Sequence, residues 1–111
     1  MNRIAQLEEF LRESPDDVFL HYALTMEYVK LEDNENARIG FDNLITSYPD
    51  YVGTYYHFGK FLEKNSEKIL AEEIYKKGII VANQARKMHA MSELQGALNM
   101  LIGYDDDEDD F

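Results

Sequence analysis

The chain has 111 residues, of which 45% are hydrophobic and 30% charged, and its formal net charge is −11. That length suits one domain, and that composition supports a packed core and argues against wholesale disorder. The acidic balance argues against direct binding to nucleic-acid phosphates or to an anionic membrane surface, because both need clusters of lysine and arginine.

Three features that are missing from the sequence indicate the cellular compartment. Cysteine is absent, so the chain has neither disulfides nor thiol chemistry. Glu8 and Glu9 stand where a signal peptide needs an apolar run. No stretch approaches the roughly 18 apolar residues of a membrane-spanning helix. We therefore expect a cytoplasmic protein without a membrane segment.

Apolar residues recur at three- and four-residue spacing along the chain, which predicts helices and no strands. In the first helix Ile4, Leu7 and Leu11 share one face, and Pro15 follows its end. In the last, Met91, Leu94, Leu98 and Leu101 continue the same pattern to the C-terminal region. The predicted helices cover residues 2–13, 18–31, 34–47, 52–64, 67–83 and 88–102.

Turn-forming residues separate these helices. The cluster Glu32-Asp33-Asn34 can cap the helix that follows it. Pro49 ends the third helix, since the residue before a proline is pushed out of the helical region. Gly103 is well placed to terminate the last helix.

Two segments of the chain match at a shift of 34 residues. Residues 14–18 align with residues 48–52 and share a proline, an aspartate and a valine. Farther on, Ala37 aligns with Ala71, and most aligned pairs keep size and polarity. An internal repeat of this period, made of two helices, is typical of a helical repeat protein.

The repeat resembles the tetratricopeptide repeat, a unit of about 34 residues with the signature W-x2-L-G-x2-Y, A-x3-F and P. The first copy is His21-x2-Leu24-Thr25-x2-Tyr28, Ala37-x3-Phe41 and Pro49. The second is Tyr55-x2-Phe58-Gly59-x2-Leu62, Ala71-x3-Tyr75 and Asn83. The departures from the signature are His21, Thr25 and Asn83. Residues 92–99 also resemble the terminal helix of short bacterial proteins with two repeats.

The resemblance implies an all-α fold of antiparallel helix pairs in a right-handed superhelical solenoid of about six helices. The repeats span residues 18–51 and 52–85 of a single domain, residues 1–103. Helices 2–13 and 88–102 flank them, and residues 104–111 form an acidic tail. Because two repeats bury little surface, the flanking helices or a second chain must cover them.

In this family the first helix of each repeat lines a concave groove that holds a peptide. The resemblance therefore implies a protein- or peptide-binding adaptor or scaffold. The groove candidates are Phe19, Tyr22, Met26, Lys30, Tyr56, His57, Lys60 and Lys64. Tyrosine and methionine are common at protein interfaces. The aromatic residues expected in the core instead are Tyr55, Phe58, Phe61 and Tyr75.

The sequence offers little support for a metal site or a catalytic site. The three histidines, His21, His57 and His89, lie on three predicted helices, and only His89 is followed by an acidic residue, Glu93, at the three- or four-residue spacing of a helix. We therefore expect surface histidines rather than a zinc site. Phosphate-binding loops and hydrolase motifs are missing from the sequence, so we expect no catalytic residue, no cofactor and no enzymatic activity.

Two alternatives to the adaptor remain open. One is a structural module that forms a homodimer through Met88, Met91 and Leu94, and the other is an enzyme or metalloprotein. The acidic tail also has three interpretations. It is a disordered solubilising end, a peptide that docks through Phe111, or a calcium site without the spacing of an EF-hand.

Overall fold

The computed structural model describes the backbone of residues 2–109 and the side chains of residues 2–103. Over that range the chain forms six α-helices and no strand. They are α1 (Arg3–Glu13), α2 (Val18–Lys30), α3 (Asn34–Ser47), α4 (Gly53–Lys64), α5 (Lys68–Gln84) and α6 (Met88–Asp109). The predicted all-α class is confirmed. Five helices begin and end within one residue of their predicted bounds.

The end of α6 differs from the prediction. The helix continues through Gly103 to Asp109, so the predicted end at residue 102 is wrong. A glycine ends a helix by adopting a positive φ, and no described glycine has one. Interpretations of the acidic tail stay predictions, and Phe111 lies outside the described residues. None of the helices in residues 2–109 has the length and apolar character needed to cross a membrane.

Polar side chains start the first three helices. Asn2, Asp17 and Asp33 each accept a hydrogen bond from a backbone amide in the first turn. Asp33, for example, accepts from the amide of Asn36 at 3.2 Å. These bonds satisfy amides that have no partner inside the helix. The predicted cap at the start of α3 is therefore confirmed.

Three helices end in the same left-handed turn. Glu32, Ser66 and Arg86 have φ values of 58°, 64° and 59°. After α2, the amide of Asp33 donates to the carbonyl of Tyr28 at 2.9 Å, which is the hydrogen bond of a Schellman motif. Glu32 and Ser66 are 34 residues apart, so the sequence repeat is also a repeat of the backbone.

Residues up to Tyr51 form one compact unit, the N-terminal unit, in which α2 packs against both α1 and α3. Its buried residues include Leu7, Ala37, Phe41 and Leu44. Helices α2 and α3 pack tightly against each other at Thr25 and Gly40. A Cβ atom on Gly40 would collide with Oγ1 of Thr25. The tetratricopeptide signature has a glycine where this chain has Thr25. In this chain the glycine at the contact is Gly40, on the facing helix.

Residues from Val52 form a second compact unit, the C-terminal unit, in which α5 packs against α4 and α6, and α4 also contacts α6. Glycines again mark the close approaches. A Cβ atom on Gly59 would lie 2.6 Å from Cδ1 of Tyr75, and one on Gly78 would lie 2.5 Å from Cβ of Tyr55. The aromatic residues predicted for the core are buried, namely Tyr55, Phe58, Phe61 and Tyr75. The single domain over residues 1–103 stays a prediction.

Candidate functional site

A cleft of about 240 Å³ lies between α4 and α6 in the C-terminal unit. Its residues from the start of α4 are Val52, Gly53, Tyr56 and His57, and those from α6 are Ala90, Glu93 and Leu94. Pockets that enclose whole small molecules usually exceed about 300 Å³. The cleft is therefore of a size to receive one or two side chains of a peptide.

The position of the cleft residues follows from the packing of α4. Tyr55 and Phe58 are buried, so they fix which face of the helix points into the core. Tyr56 and His57 follow Tyr55 in sequence and are turned by about 100° per residue around the helix axis. Both remain partly exposed, and both line the cleft as well.

Three of the predicted groove residues meet in this cleft region. The rings of Tyr56 and His57 lie edge to face, with their centres 5.4 Å apart. Lys60 Nζ lies 5.6 Å from the centre of the Tyr56 ring, which is a cation–π distance, and 3.8 Å from a carboxylate oxygen of Glu63. Lys60 is thus held beside the tyrosine. The fourth residue, Lys64, is exposed at the end of α4 and does not line the cleft.

Burial of His57 in the cleft favours the neutral form of its imidazole. Burial lowers the pKa of His57 below its usual value, and the Glu93 carboxylate raises it by a smaller amount. A neutral imidazole offers one hydrogen-bond donor and one acceptor. Glu93 also lies 3.7 Å from His89 Nε2, on the more exposed side of α6. The cleft therefore combines an imidazole, a phenol and one carboxylate with apolar walls.

The other two histidines lie outside the cleft. His21 donates from Nε2 to the carbonyl of Pro15 at 2.7 Å. His89 is 91% exposed in its side chain. In the part of the chain that the structure describes, no three His, Asp or Glu side chains are grouped so that they could hold a metal ion.

The predicted groove residues of the N-terminal unit lie along α2. Phe19 is 57% exposed, and its ring centre lies 6.5 Å from that of Tyr22. Tyr22 is half-buried and packs at 5.5 Å against Tyr51 from the loop after α3. Burial, and secondarily Tyr51, raises the pKa of Tyr22. Met26 is partly buried, and Lys30 is exposed at the end of the helix.

The half of the cleft that α6 supplies was not predicted from the sequence. Ala90 follows Tyr56 by 34 residues, as Tyr56 follows Tyr22. Extending the repeat by one more copy would have placed Ala90 beside Tyr56. At this spacing α6 corresponds to α2 and α4, the first helices of the two repeats.

The predicted dimer surface on α6 needs a correction. Leu94 is only 1% exposed, because it packs in the core near Gly78, so it cannot belong to an exposed dimer face. Within residues 88–103 the exposed large apolar residues of this helix are Met88 and Met100, and Met91 is partly exposed. The homodimer itself stays a prediction.

Comparison with solved structures places the helical repeat among known proteins. The chain is similar to a tetratricopeptide repeat domain protein from Salinibacter ruber, known from a solution NMR structure. The TM-score is 0.77 at 39% sequence identity, covering 80% of this chain and 90% of that one. A crystal structure of a tetratricopeptide repeat domain protein from the same organism gives a TM-score of 0.75 at 39% identity, covering 79% and 99%.

A third similar structure is that of a protein from Bordetella parapertussis, solved in solution. Its TM-score is 0.81 at 22% identity, covering 95% of this chain and 91% of that one, which supports the fold alone. No protein-family model matches the chain, and no curated protein is similar to it.

Proposed function

Since this chain belongs to the tetratricopeptide repeat family, we propose that it is a non-enzymatic adaptor or scaffold that binds a protein or peptide partner. The observation that carries the proposal is the cleft between α4 and α6. Tyr56 and His57 line it from one side and Ala90 and Glu93 from the other. We also propose a cytoplasmic location, which the absence of cysteine fits.

The cleft suits a peptide because it offers anchoring groups to a single side chain. Tyr56 is amphipathic, and tyrosine is enriched among residues that dominate binding energy. Ala90, opposite it, is small and leaves room beside the ring. His57 and Glu93 can exchange hydrogen bonds with the peptide backbone or with a polar side chain.

The face of α2 is the proposed counterpart of this surface in the first repeat. Tyr22 corresponds to Tyr56 at the repeat spacing, and Met26 corresponds to Lys60. Phe19 adds an exposed aromatic ring to the same helix. We propose that Phe19, Tyr22, Met26 and Lys30 contact a partner in the same manner as the α4 residues.

The test begins with a random peptide library displayed on phage, selected against the full chain. The affinity of a selected peptide is then measured for the wild type and for Tyr56→Ala. We expect the variant to bind roughly 30-fold more weakly, because an aromatic hot spot contributes about 2 kcal/mol. Ile80→Ala is the matched control, since Ile80 is 59% exposed on α5 in the same unit. Loss of binding in Ile80→Ala with full binding in Tyr56→Ala would refute the proposal.

Self-association is the alternative function, and the exposure of Met88 and Met100 on α6 favours it. Light scattering distinguishes the two. A mass of twice the chain that reverts to that of one chain in Met88→Glu or Met100→Glu supports a homodimer. A monomer mass over the whole concentration range rules it out.

A further inference from the structure

A second pocket, of about 360 Å³, lies in the N-terminal unit and shares no residue with the cleft. It is lined by Val18 at the start of α2 and by residues 47–51, which form the end of α3 and the loop after it. Two of these residues, Tyr48 and Tyr51, are aromatic, and one, Asp50, is acidic and exposed. The repeat signature treats this loop only as the boundary between two copies.

Both tyrosine rings are held in place by α2. The ring of Tyr48 packs against that of His21 with centres 5.6 Å apart, and His21 is fixed by its hydrogen bond to Pro15. The ring of Tyr51 packs at 5.5 Å against Tyr22. Because these rings are already ordered, a ligand that stacks on them loses little binding energy to the ordering of side chains.

The charge of the N-terminal unit indicates whether a positively or a negatively charged ligand would be attracted to the pocket. Residues 1–51 contain eleven Asp and Glu against four Lys and Arg, a net charge of −7. Residues 52–111 contain eleven Asp and Glu against seven Lys and Arg, a net charge of −4, and six of these negative charges lie in residues 105–110. Asp50 lines the pocket, and among the described lysines and arginines none forms an ion pair with it. A positively charged group is therefore attracted to this unit and to this pocket.

We propose that the pocket binds an arginine side chain from an extended basic segment of a partner protein. A guanidinium is planar, so it can stack on a tyrosine ring while its N–H groups donate to the Asp50 carboxylate. Lysine satisfies the charge but lacks the planar group that stacks. Nucleic acid and acidic peptides are repelled by the charge of −7. The inference goes beyond the proposed function, because it assigns a separate surface and the chemistry of its ligand.

The experiment measures fluorescence anisotropy of two fluorescein-labelled peptides, an alternating glycine–arginine peptide and a glycine–lysine peptide of equal length and charge. Each is titrated with the full chain at physiological ionic strength. We expect the arginine peptide to bind about tenfold more tightly than the lysine peptide, since stacking adds to charge. Tyr51→Ala should remove that preference, and Tyr51→Phe, which keeps the ring, should retain it.

Charge variants separate the pocket from the general acidity of the unit. Asp50→Asn should weaken binding of the arginine peptide several-fold. Glu9→Gln, an equal charge change at an exposed site on α1, should leave that binding unchanged. Equal affinity for both peptides, equal losses in Asp50→Asn and Glu9→Gln, or no binding at all would overturn the inference. Tyr56→Ala should leave this binding unchanged, so the outcome is independent of the test of the α4–α6 cleft.

Discussion

Replacing Gly40 with alanine should destabilise the N-terminal unit, although glycine-to-alanine changes within helices usually stabilise. A Cβ atom at position 40 would collide with Oγ1 of Thr25 and lie 3.0 Å from both Cβ and Cγ2 of that residue. Thr25 is only 2% exposed, and its Oγ1 donates to the carbonyl of His21 at 2.8 Å. Turning the threonine side chain away would therefore break a buried hydrogen bond, and keeping it would force α2 and α3 apart.

The expected magnitude combines three contributions. Overpacking costs about 1–3 kcal/mol, and loss of the threonine hydrogen bond costs about 1 kcal/mol more if the side chain turns. The gain in helix propensity offsets about 1 kcal/mol. The net loss of unfolding free energy in Gly40→Ala should be about 1–2 kcal/mol, to be measured by urea unfolding followed by circular dichroism.

Gly96→Ala is the matched control, because a Cβ atom at position 96 would have no neighbour within 4 Å. That variant should gain about 0.5–1 kcal/mol from helix propensity alone. Combining Gly40→Ala with Thr25→Gly moves the glycine back to its signature position and removes the collision. The double variant should be more stable than the sum of the single effects predicts, by about 1 kcal/mol or more. If Gly40→Ala is as stable as Gly96→Ala, or if the two changes simply add, the argument from close approach is wrong.

Two further predictions concern a turn and a buried hydroxyl. Ser66→Gly should raise the unfolding free energy by about 1 kcal/mol, since φ at Ser66 is 64° and glycine adopts this conformation without strain; a melting temperature that does not rise contradicts this. Tyr75→Phe removes a hydroxyl that donates to Glu63 and should cost about 1 kcal/mol near neutral pH. Burial, with the hydrogen bond to Glu63, raises the pKa of Tyr75, so stability should fall as pH rises above the unfolded-state value of about 10. Urea unfolding across that range should show a smaller fall in Tyr75→Phe, and an equal fall would exclude Tyr75 as the cause.

The helices could be predicted because their determinants are local. Apolar spacing fixes the buried face, and polar caps such as Asp33 fix where a helix begins. The end of α6 was predicted wrongly because a glycine permits termination without requiring it. Gly103 keeps a helical backbone, and a Cβ atom there would make only an ordinary contact of 3.9 Å.

The candidate sites could be predicted only in part. Tyr56 and His57 follow from the repeat spacing, since they stand between the core positions Tyr55 and Phe58 of α4. Their partner Ala90 carries no signal of its own, because alanine is common on any helix face. The pocket beside Tyr48 and Tyr51 depends on the loop after α3 meeting the start of α2, a tertiary contact that helical periodicity does not encode.

The two repeats show that the glycine of the signature provides space between two packed helices, and that a glycine on either helix can provide it. In the second copy Gly59 on α4 leaves room for the ring of Tyr75 from α5. In the first copy the residue corresponding to Gly59 is Thr25. Gly40 on the facing helix has no side chain and so leaves the space that the threonine side chain occupies. Interiors are close-packed, so a helix pair can keep its approach when one residue grows only if its neighbour shrinks. Thr25 therefore departs from the signature in sequence while the packing requirement behind that signature is met by a residue on the opposite helix.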